Sequence, residues 1–394
     1  MRILTVDIGT GTQDVFLYDS RLDIENGFKL VLPSPTLMVS HRIKAATAAR
    51  SPIALLGSQM GGGPSAWAAE AHARAGLAVY ATPQAALTLD DDLDKVASLG
   101  VRLISEDESR LLKSDVVRIE LKDFDFAALS EVFGRFGVGV NGLDAVAVAV
   151  FDHGAAPRGI SDRQFRFDYL DRRIGEKNAL SAFGHLSTEV PAIMSRLLAV
   201  AHSGTDLDSP MIVMDTAPAA VLGATFDPQV RRRRRQLIVN VGNFHTLAFR
   251  LTGTAIDGVF EHHTGEIDLP KLEALILALA DGSLKHEDVF NDMGHGALVY
   301  SREALEFGTD AYDVVVTGPR RSMFRPRAIT EGAMSHARHS RIRPYFAVPF
   351  GDMMLAGCFG LLAATAELLP QLGDQIRASM SENRPNSATP WDAN

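Results

Sequence analysis

The sequence predicts an α/β chain of two domains, each opening on a strand–turn–strand hairpin whose turn carries glycine and a hydroxyl residue. Residues 2–18 read Arg-Ile-Leu-Thr-Val-Asp-Ile-Gly-Thr-Gly-Thr-Gln-Asp-Val-Phe-Leu-Tyr, two apolar runs around a Gly/Thr turn. Residues 238–251, Ile-Val-Asn-Val-Gly-Asn-Phe-His-Thr-Leu-Ala-Phe-Arg-Leu, repeat that plan. Between them short apolar runs alternate with Ala-rich stretches of helical length, the texture of an α/β chain.

Taken in order, residues 2–8 and 14–19 form the first hairpin, and 29–32 add a third strand. From 36 to 124 strands at 53–56, 77–80 and 101–104 alternate with helices at 64–75 and 91–99, an α/β unit inserted in or elaborating the first domain. Residues 57–64, Gly-Ser-Gln-Met-Gly-Gly-Gly-Pro, form a strand-to-helix turn that can receive an anion or serve as a plain tight turn. A strand at 116–121 and a helix at 126–136 precede the continuous apolar run 143–151, which reads as a buried central strand. An amphipathic helix follows at 188–201, then a strand at 211–215. In the second half a third strand spans 254–262 and a helix 270–280. The expected division is 1–205, with the elaboration at 36–124, and 206–378, with helices at 216–224 and 352–365. Residues 379–394, rich in Ser, Asn and Pro, read as a frayed tail.

The two turns suggest phosphate chemistry. Gly242 and Asn243 tolerate positive φ, so the turn built on Gly242, Asn243, His245 and Thr246 can direct backbone N–H groups at one anion while Thr246 adds a hydroxyl. Gly9, Thr10, Gly11 and Thr12 offer the same, and an ordinary hairpin is the alternative at each place. Two such loops would hold a polyphosphate from both sides, with Asp7 serving Mg²⁺ through its waters. Asp14 leaves the first turn toward whatever the loop holds, or caps the turn.

At these residues the chain resembles the superfamily of actin, the seventy-kilodalton heat-shock chaperones and the sugar and acetate kinases. Five segments carry the resemblance in the family's order: Asp7, Gly9, Thr10 and Thr12 as first phosphate loop; residues 215–223 as first hinge helix; residues 238–251 as second phosphate loop; Val-Val-Val-Thr-Gly-Pro at 314–319 as adenosine segment; and 351–364 as second hinge helix. The resemblance implies the two-domain actin-like ATPase (ribonuclease H-like) fold, ATP and Mg²⁺ as cofactors, and a small-molecule substrate in an interdomain cleft. Asn240 stands where the second loop usually has Asp, on the magnesium side, and Gly318-Pro319 replaces the usual Gly pair. By the same resemblance Asp215 helps position an attacking water, and Asp152, after the central strand, is the first choice of general base with Asp162 second. Arg163 and Arg166 would neutralise an acidic substrate or the transferring phosphoryl group, although these charges can equally cap one another in a polar loop. The chain is also similar to a prokaryotic family labelled pyruvate formate-lyase activating protein. That label implies a radical enzyme with an iron–sulfur cluster, which needs several cysteines, and this chain has one, Cys358.

Composition bounds the rest. The 394 residues are 46% hydrophobic and 22% charged, enough for large cores in two domains. Mean hydropathy is +0.04 and no apolar run reaches the roughly 18 residues of a membrane span. One cysteine fits a reducing cytoplasm, and a net charge of −9 argues against nucleic acid as a partner. A homo-oligomer is compatible with all of this. The five arginines at 231–235 read as a phosphate contact or a solvated loop. His245, His262, His263 and His295 make a metal set by composition, but none has the spacing of a recognised site. Three functions follow: ATP-dependent phosphotransfer to a small polar or anionic metabolite, ATP hydrolysis coupled to domain closure for a protein partner, and nucleotide sensing without turnover.

Overall fold

The computed structural model describes residues 1–325, 341–381 and 389. Of the tail expected at 379–394, Ser379 instead ends the helix Pro370–Ser379 and Met380 is buried, while the residues beyond 381 lie, but for 389, outside the described residues. Backbone contacts divide the chain into two compact units that interleave along the sequence. One is Met1–Leu17, Lys29–Ala155 and His185–Asp215; the other is Tyr18–Phe28, Ala156–Gly184 and Thr216–Asn394. A single boundary near 205 was the expectation; residues 156–184 instead pack with the C-terminal half.

The first unit is built on a six-stranded sheet of β1 (Arg2–Ile8), β2 (Thr12–Asp19), β3 (Phe28–Pro33), β8 (Ala145–Val150), β9 (Gly184–Leu186) and β10 (Met211–Asp215), ordered β3-β2-β1-β8-β10-β9. The strand β8, Ala-Val-Ala-Val-Ala-Val, is fully buried between two parallel neighbours, β1 and β10. Alternating Ala and Val let helices approach both faces of such a strand. A second, four-stranded parallel sheet holds β4 (Ile53–Gly57), β5 (Val79–Ala81), β6 (Val101–Leu103) and β7 (Val117–Leu121) in the order β6-β5-β4-β7. It has its own apolar core, in which Ile43, Ile53, Ala69, Val96 and Ile119 are wholly buried, so the expected α/β elaboration is a small layered body in its own right.

The second unit repeats the first sheet's plan. Strands β11 (Arg235–Val241), β12 (His245–Thr252), β13 (Ala255–His263), β14 (Gly296–Val299), β15 (Val314–Thr317) and β16 (Pro344–Phe346) run in the order β14-β13-β12-β11-β15-β16. Each sheet contains a run of three consecutive strands, β3-β2-β1 and β13-β12-β11, extended on the far side of its first strand by β8-β10 and β15-β16, with β9 and β14 as differing edge strands. Here β11 pairs antiparallel with β12 and parallel with β15. The repeated order is the ribonuclease H-like one, and the chain has the actin-like ATPase fold with an α/β elaboration in its first half. The helix Leu269–Asp281 covers this sheet; Asp268 caps it through Lys271 N at 2.9 Å and Gly282 ends it at φ 76°.

Three helices differ from expectation, the first being Asp162–Glu176, where the sequence reads as a polar loop. Pro191 holds Val190 extended, which breaks the helix expected at 188–201 into a 3₁₀ turn at Ser187–Glu189 and a helix at Ser195–Ser203. The second hinge helix begins only at Ala356, because Phe350 and Gly351 have φ of 49° and 75° and Asp352 is extended. It packs against Thr216–Ala224 with backbone touching backbone. A Cβ on Gly223 would overlap the Ala356 carbonyl and one on Gly360 the Ala219 carbonyl.

Candidate functional site

In the first unit, the turn at 9–12 is held from outside. Gly9 N donates to Thr12 O at 2.9 Å, while Ser34 donates its hydroxyl to Thr10 O at 2.6 Å and its N–H to Gly11 O at 3.2 Å. Ser34 is also the N-cap of the helix Pro35–Ala48, so one residue fixes both the turn and the helix. Asp7 lies one residue before the end of β1 and is 8% exposed. Its register partner is Ala149 on β8, and Asp215 closes β10 opposite Val150, so both carboxylates stand at the carboxyl ends of central parallel strands, where ligands of α/β sheets bind.

Around them, other expected residues have structural duties. Asp152 is buried, and its two oxygens accept from Gly154 N at 2.8 Å and Leu197 N at 2.9 Å. A carboxylate that caps a turn and a helix in this way is ill placed to act as the expected general base. Asp14 is buried within β2. Asp123 holds Arg196 with paired bonds of 2.7 and 3.0 Å, and Gly61 N donates to Asp123 as well. The Gly-rich turn at 57–64 is thereby tied to that ion pair, which favours the plain-turn reading. Burial pulls the Arg196 guanidinium down, but Asp123, with Asp152 and Asp215, raises it further, so its charge is secure.

In the second unit, Gly242 N donates to His245 O at 3.0 Å and closes the turn. Asn240 pairs with Thr317 across β11 and β15, and Gly318, at φ 95°, sits so close that an added Cβ would meet the Asn240 side chain and the Val241 carbonyl. The loop of the second hairpin and the segment 314–319, expected to serve adenosine, therefore adjoin, with Asn243 half-buried in that loop. Thr246 is corrected. It is wholly buried and shares a 2.9 Å hydrogen bond with Thr264, so its hydroxyl is withdrawn from the phosphate-donor set.

His245 has other company. It lies directly opposite His263 on β13, and the two rings are 5.1 Å apart. His295 precedes β14, its N–H bonded to Glu261 O, with its ring 5.0 Å from that of His245 and 4.6 Å from that of His263. One nitrogen from each ring falls within 4.8 Å of the others. Burial holds the His245 imidazole well below its ordinary value and that of His263 below it, so both are neutral at pH 7 with a lone pair to offer. His262 stays out because side chains alternate along a strand; its Nδ1 contacts the His263 carbonyl and its Nε2 lies 3.5 Å from Asp292.

The two arginines expected to meet substrate support this cluster instead. Arg166 is wholly buried and donates to Glu261 at 3.2 Å, and the other Glu261 oxygen lies 3.5 Å from His295 Nδ1. Arg163 donates to Phe290 O at 2.9 Å and Gly294 O at 2.6 Å, latching the segment that carries His295. Asp162 is exposed at the start of the helix Asp162–Glu176. The arginine run is likewise put to use: Arg231 donates to Met380 O, Arg233 to Tyr312 O with its guanidinium over the Tyr312 ring, and Arg235 to Glu303.

A family model described as "Putative pyruvate format-lyase activating enzyme (DUF1786)" matches residues 60–323, two thirds of the chain. The chain belongs to this family. Its sole cysteine, Cys358, is buried within the helix Ala356–Leu368, so this DUF1786 member lacks the cysteine set that a cysteine-ligated iron–sulfur cluster requires. No curated protein matches the chain. Among solved structures it is similar to a ROK hexokinase from Thermus thermophilus, at 11% identity and TM-score 0.22 over 65% of this chain and 48% of that one. It is also similar to a ROK family transcriptional regulator, a homolog of the E. coli MLC protein, at 7% and 0.25 over 65% and 37%. An exopolyphosphatase-like protein aligns at 10% and 0.25 over 80% and 65%. The chain thus spans about half the length of the hexokinase. Among the described residues no helix is long and apolar enough to cross a membrane.

Proposed function

We propose that this DUF1786 chain is an ATP- and Mg²⁺-dependent phosphotransferase acting on a small polar or anionic metabolite. The observation that carries the reading is the repeated sheet, each copy opening on a hairpin whose turn is rich in backbone N–H groups. Phosphoryl transfer asks a protein chiefly for positioning and charge stabilisation, which such turns supply to phosphate oxygens. In this reading the turn that Gly9 closes offers phosphate oxygens the backbone N–H groups of Thr10, Gly11 and Thr12, the turn that Gly242 closes offers that of Asn243, and Gly318 serves the base. Asp7 anchors Mg²⁺ through water, and Asn240 gives the second loop a neutral amide where the resemblance implies a carboxylate. With Asp152 spent on capping, Asp215 is the carboxylate that orients the acceptor, and exposed Asp162 the remaining candidate on the substrate side.

Asp215 also stands immediately before the helix Thr216–Ala224, a place from which a carboxylate can steer water, and this favours hydrolysis as the second reading. Nucleotide consumption by the purified chain, with and without a pool of small metabolites, separates the two. Turnover that requires the pool supports transfer, and steady turnover without it supports hydrolysis. Absence of Mg–ATP binding would overturn both, and Asp7→Ala with unchanged Mg–ATP affinity would remove Asp7 from the metal.

A further inference from the structure

His245, expected to serve the second phosphate turn, turns its ring toward two histidines outside that turn, and the three have the makings of a metal centre. We infer that His245, His263 and His295 bind one divalent transition-metal ion of borderline softness, such as zinc or ferrous iron, within the second unit.

Three nitrogens from three different chain segments converge: the two ends of a paired strand couple and the residue before β14. Divalent zinc sits about 2.0–2.1 Å from imidazole nitrogen. An ion at the centre of a triangle with 4.8 Å sides is about 2.8 Å from each corner, so the rings need close in by no more than about 0.7 Å. The surroundings fit a metal better than a mere histidine stack. Glu261 lies 3.5 Å from Nδ1 of His295, longer than a hydrogen bond but close enough for a small ring rotation to make it the carboxylate that fixes a ligating imidazole. Arg166 in turn balances the Glu261 charge, and Arg163 anchors the segment before His295. Imidazole nitrogens select zinc, iron, cobalt, nickel or copper over magnesium and calcium, which prefer oxygen. Three nitrogen ligands leave at least one further coordination position for water or an anionic oxygen.

This inference is independent of the phosphotransfer reading: Mg–ATP would be held by the turns and carboxylates, the second ion by imidazoles alone. The test uses the whole chain stripped of metal and titrated with Zn²⁺ against a chromogenic chelator, with Co²⁺ absorption as a second readout. The expected result is one Zn²⁺ per chain and Co²⁺ d–d bands of a four- or five-coordinate nitrogen site. His263→Gln and His295→Gln should each weaken Zn²⁺ binding by about 100-fold or more, since losing a supporting partner alone costs about 10–100-fold. His202→Gln, an exposed histidine of the helix Ser195–Ser203, should bind as the parent does. If His295→Gln fails to fold, half-buried His263 decides. Absence of stoichiometric Zn²⁺, or equal affinity in the parent and His263→Gln, overturns the inference.

Discussion

Arg166 and Glu261 meet at 3.2 Å with neither side chain reaching solvent, and the same carboxylate faces His295. Two charges taken this far from water are tolerable only together. Arg166→Met should therefore strand Glu261 and destabilise the fold by about 3–5 kcal/mol. The double change Arg166→Met, Glu261→Leu should recover much of that loss. Urea denaturation of the three proteins checks it, and equal loss in the single and double variants would count against the pair.

Asp152 accepts from two backbone N–H groups, one at the first turn of the helix Ser195–Ser203. Asp152→Ala should cost about 1–3 kcal/mol, the penalty for leaving buried donors unmet. The loss should appear as a lower unfolding midpoint with Mg–ATP affinity retained. A catalytic collapse at unchanged stability would restore Asp152 to the role of base.

Thr246 is wholly buried at the start of the strand that follows the second turn. Its hydroxyl is engaged by Thr264, so Thr246→Val should leave nucleotide affinity within about twofold while costing about 1 kcal/mol of stability for the lost hydrogen bond. Isothermal titration and thermal melts read the two effects apart.

Asp313 predicts an acid-side loss of stability. Burial pushes its carboxyl up, but hydrogen bonds from the Arg343 side chain and from the Gly308 and Arg343 N–H groups outweigh that and hold it below the ordinary carboxylate range. A carboxylate depressed in the folded state contributes fully above its unfolded value and loses that contribution as pH falls through the folded one. Stability should therefore decline from about pH 4 downward, and Arg343→Ala should flatten that decline. Chemical denaturation across acid pH tests this; an unchanged slope would argue that the ion pair is idle.

The sequence made some of this readable and hid the rest for identifiable reasons. The hairpins, the buried run at 145–150 and the helix at Thr216–Ala224 showed themselves because glycine turns, continuous apolar runs and small-residue spacing are local signals. The break at Pro191 was also local and is a known limit on helices. The histidine triad was different. His245 and His263 lie almost symmetrically about the β12–β13 turn, and that symmetry was available, but it becomes contact only once the strand register is fixed. His295 arrives through a third strand, which no spacing rule encodes. His262 shows the converse: adjacent in sequence to His263, it faces away because the strand alternates. Arg163 and Arg166 looked like substrate contacts because charge in a polar stretch carries no label of burial.

Where Gly223 and Gly360 let two helices press main chain on main chain, no rotamer change can absorb an added atom. Even a methyl group would have to be met by sliding one whole helix along the other. The crossing therefore behaves as a bearing with no tolerance, and sequence drift at these two positions should be far narrower than at the larger apolar residues around them.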